Sequence, residues 1–141
     1  MVIDHIGYLC ADIRKSISSF ETLGYRPCSK IFRDDVVNSE TARGYARNVD
    51  ICFLENEAYR IELVSPIDET SDVYQTLKRQ GEGPYHICYR TDDLEQEIQT
   101  LKMDGYMLMK RPAMAIAFGE AKVAFLFKRA VGMIELVETR E

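Results

Sequence analysis

The sequence predicts an α+β fold in which two βαβββ modules form a curved, mostly antiparallel, eight-stranded sheet enclosing a metal site. Three observations predict it: an internal repeat of a strand followed by an amphipathic helix, a second repeat with the pattern of a β-hairpin, and equivalent positions for the only two histidines in the 141 residues.

The first repeat places DHIGYLCADIRKSISSFETLGY (4 to 25) over YHICYRTDDLEQEIQTLKMDGY (85 to 106) without a gap. His5 meets His86, Tyr8 meets Tyr89, Asp12 meets Asp93, Gly24 meets Gly105 and Tyr25 meets Tyr106. Each copy reads as a short strand, an acidic N-cap at Asp12 or Asp93, a helix and a glycine at its C-terminal end. The helical stripes are Ile13, Ile17, Phe20 and Leu23 in one copy and Leu94, Ile98 and Leu101 in the other. The second repeat places DICFLENEAYRIELVSP (50 to 66) over KVAFLFKRAVGMIELVET (122 to 139), with one residue more in the second turn, so that Glu62 matches Glu135. Both copies read as strand, turn, strand. A polar hairpin loop is expected at 34 to 48, and a helix beginning near Ser71 links the modules. The organisation is a single domain, 1–141, with a first module over about 1–66, a linker helix over about 67–82 and a second module over about 83–141.

Composition narrows the function. A net charge of −5 disfavours nucleic acid as the main partner. No apolar run approaches the length that spans a bilayer, which excludes a transmembrane role, and the N-terminus lacks the pattern of a secretory signal, so a cytoplasmic location is expected. Four widely spaced cysteines without a C-x-x-C pair argue against a zinc ribbon or a disulfide scaffold. Cys88 reads as a packing residue, Lys122 as a solvent-facing strand charge, and Arg90 as a partner for an acidic group or a means of steering anions.

Strand alternation sorts the remaining polar side chains. His5, Gly7 and Leu9 share one face and His86, Cys88 and Arg90 another. Ile6, Tyr8, Ile87 and Tyr89 are left to face the helices. In I-E-L-V, burying Ile61 and Leu63, or Ile134 and Leu136, beneath the helices turns Glu62 and Glu135 to the histidines' side. Two carboxylates brought together resist joint ionisation unless a cation offsets them. His5, Glu62, His86 and Glu135 therefore read as ligands of a divalent ion. The nitrogen and oxygen donors suit nickel, cobalt, manganese or zinc, and an octahedral ion would keep two positions for substrate oxygens.

The motifs DHIGY, IELVSP, GEGPYHICYRTDDLEQEI, AKVAFL and MIELVE, in this order and spacing, resemble the vicinal oxygen chelate (glyoxalase/bleomycin resistance/dioxygenase) superfamily along almost the whole chain. The resemblance implies the same four metal ligands. The linker DETSDVYQTLKRQGEGPYHI is more similar to the methylmalonyl-CoA epimerases of that superfamily than to its bacterial glyoxalase I members. It implies a metal-dependent isomerase that abstracts a proton next to a carbonyl, with Glu135 as the base. Asp50, on the predicted face of Cys52 and Leu54, resembles the place of a second catalytic carboxylate in some epimerases. The implied partners are a small-molecule thioester or hemithioacetal substrate and a second copy of the chain in a homodimer. A glyoxalase I (lactoylglutathione lyase) is the alternative activity, and a metal-free antibiotic-binding protein is the alternative of another class. AIAFGEA, FKRAVG and Tyr85 depart from the epimerase pattern.

Overall fold

The computed structural model describes residues 1–35, 47–114 and 121–139. The expected loop at 34 to 48 lies mostly outside the described residues, as does most of AIAFGEA. Within the described residues the elements are β1 (Val2–Leu9), α1 (Ile13–Thr22), β2 (Arg26–Pro27), β3 (Phe32–Asp34), β4 (Val49–Asn56), β5 (Tyr59–Pro66), α2 (Tyr74–Gln80), β6 (Gly83–Thr91), α3 (Leu94–Met103), β7 (Met107–Met114), β8 (Lys122–Lys128) and β9 (Gly132–Glu138). They fall into two compact units, His5–Tyr85, and Met1–Asp4 together with His86–Glu141. The fold is α+β, with the mixed, open sheet of glyoxalase-like proteins.

In the unit His5–Tyr85, β1 runs parallel to β5 with Ile6 beside Ile61 and Gly7 beside Glu62. β4 and β5 form the expected hairpin, antiparallel from Asn56↔Tyr59 to Val49↔Pro66. The ninth strand, beyond the eight expected, is β3, which pairs with β4 through Phe32↔Ile51, Arg33↔Asp50 and Asp34↔Val49. Three residues are too few to show an alternating pattern, so this strand left no signal in the sequence. In the other unit β6 runs parallel to β9, with Cys88 beside Glu135, and β8 and β9 form the second hairpin from Lys128↔Gly132 onward. Its turn is one residue longer than that of β4–β5, as the repeat requires. Pro112 lies in β7 where the register to β8 shifts between Lys110 and Ala113, an irregularity that suits a residue unable to donate to the ladder.

Equivalent sequence signals begin and end α1 and α3. The Asp12 carboxylate accepts the Lys15 N–H at 3.2 Å, and Asp93 accepts the Gln96 N–H at 3.1 Å, each satisfying a donor left open at the helix start. At the other end Gly24 and Gly105 take φ values of +97° and +90°. The following amides of Tyr25 and Tyr106 then reach back to the carbonyls of Phe20 and Leu101, the Schellman arrangement. Leu23 sits at the cap and not in the stripe, and is exposed. The linker helix starts at Tyr74, three residues later than expected, after a turn in which the Tyr74 N–H donates to the Ser71 carbonyl.

Each helix covers one face of its unit's strands. Cys10, Ile13, Cys52, Leu54, Ile61 and Leu63 form one core, with Tyr8, Ile17 and Phe20 against it. Leu94, Ile98, Ala124, Leu126, Ile134 and Leu136 form the equivalent core. Each fully buried leucine contributes roughly 2 kcal/mol of transfer free energy. Ile6, expected beneath α1, is instead 39% exposed. The helix packs against β5, β4 and β2, toward the hairpin side of the unit.

Candidate metal centre

The face turned away from each helix carries the polar donors. In the unit His5–Tyr85, β1 presents His5 and Gly7, and the parallel register sets Glu62 beside Gly7. His5 Nε2 lies 3.6 Å from Glu62 Oε1, with side chains 0% and 4% exposed. In the other unit the register sets Glu135 beside Cys88. His86 Nε2 lies 3.1 Å from Glu135 Oε1, with side chains 0% and 3% exposed. Alternation therefore sorted these residues correctly, and the parallel pairing of β1 with β5 and of β6 with β9 brings each histidine to its own glutamate.

Both pairs have the same aromatic support, which the sequence reading missed. Phe53 is in register with Glu62 on β4, and its ring meets the His5 ring edge-on at 5.3 Å. Phe125 is in register with Glu135 on β8 and meets the His86 ring edge-on at 5.5 Å. Such contacts fix an imidazole's plane while keeping water away. The signal was in the sequence: Phe53 and Phe125 are matched in ICFL and VAFL, nine and ten residues before their glutamates.

Buried carboxylates need positive charge or protons nearby. The donors here are two imidazoles and two carboxylates, one buried histidine–glutamate pair in each unit. The donor chemistry fits a borderline first-row divalent ion, since each pair offers one nitrogen and one oxygen and neither offers sulfur.

A charged residue unseen in the sequence reading completes the setting of Glu62. The Arg47 Nε–H donates to Asp72 Oδ2 at 2.8 Å, and the Asp72 N–H donates back to the Arg47 carbonyl at 3.2 Å. The Arg47 N–H also donates to the buried Asp34 carboxylate at 3.3 Å. Burial opposes the guanidinium's charge more than any single neighbour favours it, but Asp72, Tyr85 and Glu62 together outweigh burial and hold the group well above the ordinary arginine range. No local pattern marks Arg47, because its partner lies on the far side of the β4–β5 hairpin in the chain.

The structure does not bring Asp50 to this face. Phe53 is the β4 residue beside Glu62, so Asp50, Cys52 and Leu54 point to the helix side, where Cys52 and Leu54 join the core. Arg33 holds Asp50 there with two parallel bonds of 2.9 Å. The expectation of a second catalytic carboxylate at Asp50 is therefore not carried further. Cys88 is fully buried with Val123 and Val137, Lys122 is exposed, and Arg90 pairs with Asp4 at 3.6 Å. No helix among the described residues is long and apolar enough to cross a membrane.

Fold and site together define an α+β protein of duplicated strand–helix–hairpin units, each with a buried imidazole–carboxylate pair. The chain belongs to the Glyoxalase/Bleomycin resistance protein/Dioxygenase superfamily, whose model matches residues 4–125. It is 26% identical to the uncharacterized protein YqjC of Bacillus subtilis over 141 residues, covering 98% of this chain and 92% of that one. It is 24% identical to the mitochondrial methylmalonyl-CoA epimerase of Dictyostelium discoideum, covering 99% of this chain and 77% of that one. Among solved structures it is similar to a variant of Streptomyces coelicolor methylmalonyl-CoA epimerase in complex with 2-nitronate-propionyl-CoA. The TM-score there is 0.74 and the identity 23%, over 100% of this chain and 99% of that one. At that identity the likeness speaks for the fold.

Proposed function

We propose that the protein is a divalent-metal-dependent isomerase that removes a proton next to the carbonyl of an acyl thioester, in the manner of a methylmalonyl-CoA epimerase. The observation that carries the reading is the recurrence of a buried histidine–glutamate pair at equivalent positions of the repeat, His5 with Glu62 and His86 with Glu135. Both pairs serve one ion in this reading: His5, Glu62, His86 and Glu135 would hold nickel, cobalt, manganese or zinc. When bound, the ion supplies positive charge that stabilises an enolate oxygen.

The residues of the chain do the rest. Glu135 takes the α-proton, since a carboxylate fixed in place and kept from water is an effective base. Phe53 and Phe125 hold the imidazoles in plane and exclude water. The fold likeness to an epimerase crystallised with an acyl-CoA analogue supports a thioester substrate, and the relationship to the Dictyostelium enzyme supports the epimerase branch.

Metal analysis of the purified protein and deuterium exchange at the α-carbon of methylmalonyl-CoA, followed by NMR, test the proposal. One ion per chain and exchange that disappears with a chelator are expected. Turnover of the methylglyoxal–glutathione hemithioacetal with no exchange on methylmalonyl-CoA would move the protein to the glyoxalase I branch. A protein that takes up no nickel, cobalt, manganese or zinc yet binds an antibiotic would be a sequestering module.

A further inference from the structure

Near the turn of each hairpin the repeat supplies an internal comparison. In the unit His5–Tyr85 one row of paired residues runs Arg26↔Glu55↔Arg60 across β2, β4 and β5. The strand–helix repeat, extended by one residue, aligns Arg26 with Met107, and the hairpin repeat aligns Glu55 with Phe127 and Arg60 with Met133. In the other unit these three again form one row, Met107↔Phe127↔Met133 across β7, β8 and β9. The same places therefore carry alternating charges in one unit and only apolar side chains in the other.

Alternating charge is what a solvent-facing row calls for, since opposite charges pair across neighbouring strands. Packing does not account for the apolar row. Met107 is 64% exposed and Phe127 38%, and Met133 is only half-buried. Phe127 follows Phe125 by two residues and Met133 precedes Glu135 by two, so the row lies on the donor face of its own unit, one step of roughly 7 Å from the row Phe125↔Glu135. Leu108 and Leu126, which point the other way, belong to the core under α3. Three side chains fall far short of the roughly 800 Å² per partner that a stable protein interface buries. They suit a short alkyl chain or a single ring, and methionine adapts its shape to such ligands.

We propose that Met107, Phe127 and Met133 form a specificity subsite for an extended apolar substituent of the substrate, an alkyl chain or aromatic ring that reaches well beyond a methyl group. The inference rests on the isomerase reading only for placing the reacting carbon near Glu135, and adds to it that the preferred acyl group is larger than methylmalonyl.

The test exchanges the row for its counterpart, Met107→Arg, Phe127→Glu and Met133→Arg together, a set that the other unit already accommodates at these places. Phe127→Ser alone is the milder variant. Binding of propionate and hexanoate to the wild type and both variants is followed by NMR titration, and the oligomeric state by sedimentation equilibrium. Each methylene buried strengthens binding by up to about fourfold, so the wild type should bind hexanoate about tenfold or more tighter than propionate. In the triple variant the two should bind within about twofold of each other, and Phe127→Ser should lower the ratio about threefold. The carboxylate is common to both ligands, so the charges introduced cancel in the ratio. A wild type that does not bind hexanoate, or binds it no better than propionate, overturns the proposal, as does a ratio that survives in both variants. A wild-type dimer that dissociates in the triple variant with its ratio unchanged also overturns it and gives the row to a second copy. Absence of α-proton exchange on methylmalonyl-CoA would remove the isomerase reading and leave the chain-length ratio standing, so the two failures are distinct.

Discussion

If one ion joins the two pairs, substituting either histidine should abolish the stabilisation that the ion gives the whole protein. A ligand that binds only the native state adds RT ln(1 + [L]/Kd), about 4 kcal/mol at a thousandfold excess over Kd. For 141 residues, an unfolding entropy of roughly 2 cal/mol/K per residue gives about 0.3 kcal/mol/K in total, so cobalt should raise Tm by about 14 °C. A variant that binds a thousandfold more weakly keeps only RT ln 2, about 0.4 kcal/mol, or about 1 °C. Histidine 5 and histidine 86 belong to different units, which makes His5→Gln and His86→Gln the discriminating pair. Thermal melts by circular dichroism, with and without cobalt, compare the shift within each variant, so any change in metal-free stability cancels. The shared-ion reasoning predicts that both variants lose the shift. It is refuted if His5→Gln still gains several degrees from cobalt through His86 and Glu135 alone, or if the wild type gains none.

Three further predictions concern Arg47 and the cysteines. Arg47→Met leaves the Asp72 carboxylate, 19% exposed and 2.8 Å from its present partner, without its guanidinium, which should cost about 3 kcal/mol. Urea midpoints of the single variants and of Arg47→Met with Asp72→Leu form the check, the double variant recovering part of the loss. Burial raises the Cys10 thiol to about 11 from 9.0, so its contribution to stability is complete below about pH 9 and fades as pH climbs through the folded value. Cys10→Ala should accordingly show a shallower alkaline decline in urea midpoint between pH 9 and 11 than the wild type. Thiol labelling at pH 8 should mark exposed Cys28 and spare Cys10, Cys52 and Cys88 until unfolding.

Features that depend on local rules were legible in the sequence. Asp12, Asp93, Gly24 and Gly105 act within a turn of the helices they bound, and alternation along I-E-L-V is a property of one strand, so the caps and the facing of Glu62 and Glu135 followed from spacing alone. Register between strands was not legible. The residues of β4 could be sorted into two sets, but only the pairing of Phe53 with Glu62 shows which set faces the donors, and that pairing separates Asp50 from the site. Arg47 and Asp72 were hidden for the same reason, being joined across the β4–β5 hairpin.

The parallel pairing of β1 with β5, and of β6 with β9, has a kinetic consequence. A hairpin can close early from neighbouring residues, whereas His5 finds Glu62, and His86 finds Glu135, only after the chain has returned past the helix and strands that separate them in sequence. Neither half of the donor set can exist in a partly folded unit. During refolding, capture of cobalt should therefore be among the last events, lagging the appearance of helix, and the ion would serve as a clock for completion of the chain's slowest contacts.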